Sequence, residues 1–146
     1  MGTWDIGHFD NDSAADFAGA LDDVPAEARE AVVRAALLRA ADETDHLDYT
    51  EAVEAVASAA LVAARCPGGE PVTTAYGPDE PVPLSAVEDL RELAVQALDR
   101  VLAAESELAE LWDEAVDGPA WRRGIAQLRA VLDPHPAPPQ DALFEL

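Results

Sequence analysis

Ala52-Val-Glu-Ala-Val-Ala-Ser-Ala-Ala-Leu-Val-Ala-Ala64 is apolar nearly all round when wound at helical pitch. Glu54 is its one charge and Ser58 its one hydroxyl. A helix without a broad polar face has neighbours on every side. The run therefore predicts a helix over about residues 51–65, capped by Thr50, at the centre of an all-α domain. Alanine and Ser58 let adjacent helices come close. Each alanine buries little area, so core stability must come from the Leu, Val, Phe and Trp positions.

Working outward, Pro25 opens an upstream helix that runs to about Ala41. Val32, Val33, Ala36, Leu37 and Ala40 make its apolar stripe, with Arg29, Arg34 and Arg39 off it. Glu30 and Arg34 form an i,i+4 pair worth about 0.3 kcal/mol. Residues 42–49 are a polar connection from which Leu47 and Tyr49 tuck inward. Downstream, residues 66–84 are rich in Pro and Gly and read as one long loop crossing the surface. Loops of this length are uncommon in compact domains and are often functional. Ser85 caps a helix over about 86–103, with Val87, Leu90, Ala94, Ala97, Leu98 and Val101 on its main face, widened by Leu93, Val95 and Leu102. A break follows near residues 104–106, where Ser106 recaps a fifth helix through Val116. One continuous helix also satisfies the periodicity, but it places Glu105 on the core side, so the break is preferred. Asp117-Gly118-Pro119 starts a last helix over about 120–132, whose face is Trp121, Ile125, Leu128, Val131 and Leu132. Val72–Tyr76 is the only β-like run, and it has no mate. The expected architecture is a single-domain, all-α bundle of five or six helices over residues 1–132. A Pro-rich tail, 133–146, ends in the apolar residues 142–146, which must dock on the domain or on a partner to avoid exposure.

The unusual side chains concentrate at the N-terminus. Trp4, Ile6 and Phe9 lie between and beside Gly2 and Gly7, which reads as an irregular, tightly turned arm. Asp10, Asn11, Asp12 and Ser13 can each accept a bond from an orphan helical N–H, so a helix starts near Asn11 and runs to about Asp22. Ala14, Phe17, Ala18 and Leu21 share its inner face, onto which Phe9 folds as a staple. Trp4 and Phe9 are expected to close the bundle by packing on the C-terminal helices that carry Trp112 and Trp121. The alternative for these rings is an exposed aromatic patch that meets a partner.

Residues 2–17, from Gly2-Thr3-Trp4 through Asp10-Asn11-Asp12 to Asp16-Phe17, resemble the opening signature of the bacterial domain-of-unknown-function family 4259. That signature reads Gly-x-Trp-x-x-Gly-x-Phe-Asp-Asn-Asp-x-Ala-x-Asp-Phe. The resemblance extends over most of the chain, including Ser106-Glu-Leu-Ala-Glu-Leu-Trp112. It implies a small soluble bacterial protein with no established activity, and it supplies no catalytic residues. It assigns nothing to Asp5 or His8, where many members carry Gly or Pro.

Thirty acidic residues face nine basic ones, all arginine, for a formal charge of −21. Nucleic acid and anionic membranes need a basic face, so neither is an expected partner. Self-repulsion costs stability, and salt should relieve it. The composition reads as a solvated acidic surface from a high-GC bacterium, with halophily and nucleic-acid mimicry as the other readings. Cys66 is the only cysteine, which excludes an intrachain disulfide. No apolar run approaches the ~20 residues of a membrane span and no leader is recognisable, so the expected location is cytoplasmic.

Two constellations carry metal-ligating chemistry. His8, Asp10, Asp12 and Asp16 offer oxygen ligands and an imidazole for a divalent cation. The EF-hand pattern fails there, because its glycine and glutamate positions hold Ala15 and Leu21, and capping explains the acids without a metal. Asp42, Asp45, His46 and Asp48 form the second, but structural zinc sites usually draw on cysteine or several histidines. No nucleophile has an adjacent base, and Pro67-Gly-Gly-Glu70 lacks the lysine and helix start of a phosphate loop. No cofactor is predicted. The leading expectation is a non-enzymatic acidic interaction module for a basic protein partner, with the monomer and the homodimer both open. The alternatives are a metal-binding protein or metal-dependent enzyme using the N-terminal acids, and a self-assembling homodimer.

Overall fold

The computed structural model describes residues 12–66 and 87–133. They form six helices: α1 (Asp12–Asp23), α2 (Ala26–Ala41), α3 (Tyr49–Ala63), α4 (Val87–Leu102), α5 (Glu107–Asp113) and α6 (Gly118–Leu132). The all-α, single-domain bundle is the architecture expected. The only β pairing among the described residues is an isolated parallel bridge between Leu47 and Ser106. None of the helices is long and apolar enough to cross a membrane.

The all-round apolar run is the axis of the bundle. Ala52, Val53 and every residue from Ala55 to Ala63 are buried, and α3 touches each of the other five helices. Its neighbours each turn one stripe towards it or towards one another. α1 buries Ala14, Phe17, Ala18 and Leu21, as its spacing demands. α4 buries Leu90, Ala94, Ala97, Leu98 and Val101, and α6 buries Trp121, Ile125, Leu128 and Leu132. Trp112 of α5 and Trp121 of α6 stack nearly parallel, with centroids 5.9 Å apart and planes 6° from each other. Both are buried, so this aromatic pair belongs to the core. The arm expected to pack on them, with Trp4 and Phe9, lies outside the described residues.

Four boundaries depart from the sequence reading. Thr50 does not cap α3; it sits inside the first turn, and Asp48 holds the cap position. No side chain of α3's own cap closes that end, and the Tyr49 N–H instead donates to Glu107 Oε1 at 2.7 Å, a carboxylate brought in from α5. Pro25 occupies the cap of α2 rather than its first helical position, a shift of one residue. α5 ends at Asp113, not Val116, leaving Val116 fully in solvent. α6 starts two residues early, at Gly118, where a Cβ would collide with the carbonyl oxygen of Trp112. Glycine therefore permits the close α5–α6 turn.

Arg29 was expected off the apolar stripe of α2, yet it is buried. It lies one turn before Val33 on the same face, so its stem packs inward while its head donates to carbonyl oxygens. Nε bonds Val24 O at 3.1 Å and Nη2 bonds Asp22 O at 3.2 Å, at the C-terminal end of α1. Arg91 does the same for α6, donating to Leu132 O at 3.0 Å and Asp133 O at 3.3 Å. The last carbonyls of a helix have no internal partner and carry its negative pole, so a guanidinium there satisfies both needs. Lysine lacks the planar fork that reaches several carbonyls at once.

Candidate functional site: an acidic corner built by two junctions

The break preferred between α4 and α5 is present, and it builds the corner that gathers the most ligating groups among the described residues. Glu105 turns the chain there with φ 63°, in the left-handed region that costs a non-glycine residue about 1–3 kcal/mol. The turn is held from both sides. Leu47 N–H donates to Glu105 O at 2.8 Å, and Glu107 N–H donates to Leu47 O at 3.0 Å. Leu47 itself is fully buried, anchoring the 42–48 connection to the core, and Tyr49 is partly buried beside it, as expected. Ser106, also buried, caps α5 by accepting from the Ala109 N–H at 3.5 Å.

Arg100, at the end of α4, joins the two junctions. Nε donates to Glu43 O at 2.8 Å, and Nη2 donates to Asp45 O and to Glu105 O, the latter at 3.3 Å. Nη1 reaches Ala104 O at 3.1 Å. One guanidinium thus joins the loop after α2 to the loop after α4.

The outer surface of this junction carries His46, Asp48, Glu105, Glu107 and Glu110, all exposed. One ligand atom each from His46, Asp48 and Glu107 lies within 4.8 Å of the others, and His46, Glu105 and Glu110 meet the same condition. His46 Nδ1 is 3.6 Å from Glu105 Oε2. Chemically the corner offers one imidazole and four carboxylates to a cation, either a metal ion or the basic side chains of another chain.

Of the second sequence constellation, His46 and Asp48 are in the corner. Asp42 and Asp45 are not among its ligating groups; Asp42 caps the end of α2, and the Asp45 N–H bonds Glu43 Oε2 at 3.1 Å. Sequence reasoning missed Glu105, Glu107 and Glu110. The acids in the first turn of α5 were a legible signal of a helix start, but their approach to His46 depends on a chain separation of about sixty residues. Most of the N-terminal constellation falls outside the described residues. His8, Asp10 and Asn11 lie outside the described residues, as does the side chain of Asp12, while Asp16 is exposed on α1 and Phe17 is in the core.

Cys66 is remote from this chemistry. It follows the far end of α3, about 20 Å along the helix from His46. Its Sγ–H donates to Val62 O at 3.4 Å. Burial pushes the thiol pKa up and Glu88 adds to that, against a lowering effect of Arg91. A thiol held protonated is a poor nucleophile.

Five helices packed around a buried alanine-rich sixth, with an acidic corner on solvent, define a small all-α bundle protein. The chain belongs to the family described as Domain of unknown function (DUF4259), whose model matches residues 2–124. The match takes in both junctions of the acidic corner and confirms the family expected from the N-terminal signature. No curated protein and no solved structure matches the chain.

Proposed function

We propose that the chain is a non-enzymatic interaction module of the bacterial cytoplasm whose acidic corner docks a basic, arginine- or lysine-rich segment of a protein partner. The observation that carries this reading is the convergence of His46, Asp48, Glu105, Glu107 and Glu110 on one exposed surface over a hydrogen-bonded backbone. A pre-organised array of carboxylates attracts cationic side chains at little ordering cost, and complementary charge speeds encounter. The formal charge of −21 makes weak attraction of any polycation inevitable, so the test must separate the corner from the rest of the surface. An arginine-rich decapeptide, followed by fluorescence anisotropy, should bind wild type more tightly than Glu105→Gln/Glu110→Gln. The control Glu88→Gln/Asp89→Asn removes the same charge from exposed positions on α4 and should bind like wild type. Equal loss in both double variants would reduce the corner to bulk charge and remove the proposal.

The two ligand trios around His46 favour a second reading, a divalent-cation site. One imidazole with carboxylates suits a first-row transition metal such as zinc or manganese better than calcium. Under this reading, Zn2+ or Mn2+ raises the melting temperature of wild type and leaves His46→Ala unmoved. The absence of a shift with either ion would discard it.

A further inference from the structure

We draw no further inference here: the strongest candidate, the exposed corner of His46, Asp48, Glu105, Glu107 and Glu110 where the α2–α3 and α4–α5 junctions meet, belongs to the site already described, and no second observation points to a ligand held there.

Discussion

Arg100→Lys tests whether the corner is built by geometry or by charge. The substitution keeps the formal charge at −21, so any loss reflects the guanidinium fork alone. Arg100 reaches four carbonyl oxygens, those of Glu43, Asp45, Ala104 and Glu105. The Nε bond to Glu43 O is partly buried, and a charged hydrogen bond in that setting contributes about 1.5–3 kcal/mol. The three Nη bonds face solvent, where water replaces much of what is lost, so they add little more. Arg100→Ala should therefore cost about 2–3 kcal/mol in urea unfolding, or about 4–12 °C in melting temperature for a chain of this length. Arg100→Lys should recover less than half, because an ammonium cannot span both junctions. Amide exchange gives a local readout: the Leu47 and Glu107 N–H groups, which close the bridge, should lose protection before those of α3. A lysine variant within about 0.3 kcal/mol of wild type, with unchanged exchange at Leu47, would refute the reasoning, since it lies inside the usual noise of a surface change.

Four further outcomes are expected. Ser58 is fully buried in α3 and its hydroxyl has no hydrogen-bond partner, so Ser58→Ala should raise stability by about 0.5–1.5 kcal/mol, seen as a higher urea midpoint. Ala59 is fully buried on the same helix, and Ala59→Leu should lower stability by about 1–3 kcal/mol through overpacking; an unchanged melting temperature would contradict the central place of α3. Gly118→Ala should also destabilise, because its new Cβ meets the backbone of Trp112, and no rotamer change relieves a backbone clash. Arg122 grips Asp113 through two bonds of 2.8 Å, and this hydrogen bonding holds the Asp113 carboxyl below the ordinary carboxylate range. A folded pKa below the unfolded one stabilises the fold above the unfolded value and is lost as pH falls through the folded value. Wild type and Arg122→Ala should therefore differ at neutral pH, modestly because the pair is exposed, and converge in acid; a gap that persists at low pH would show another cause.

The helices were legible because their periodicity is a local property. An apolar stripe at 3.6-residue spacing names a buried face whatever it packs against, so α1 buries the residues expected of it, and α4 and α6 do so except for Val87 and Val131, which pack half-buried at the edge of the core. The all-round apolar run likewise identified α3 as central. The break before Ser106 was readable for an equally local reason, since a continuous helix would have turned Glu105 inward. Two of the errors fell where a distant group replaced a local one. Thr50 looked like a cap, but Glu107 from α5 receives the Tyr49 N–H, and Arg29 looked like a surface charge until the last carbonyls of α1 were placed beside it.

The same division governs the acidic corner. Composition and spacing established the helical class, the buried rod and the excess of carboxylates, because each is written in neighbouring residues or in their totals, and the family was legible as a resemblance of the N-terminal motif. Which carboxylates face His46 was settled only when Leu47 hydrogen-bonded between Glu105 and Glu107 and Arg100 joined the two loops. Hydrogen bonds between loops distant along the chain obey no period, so their partners emerge only once the helices have packed.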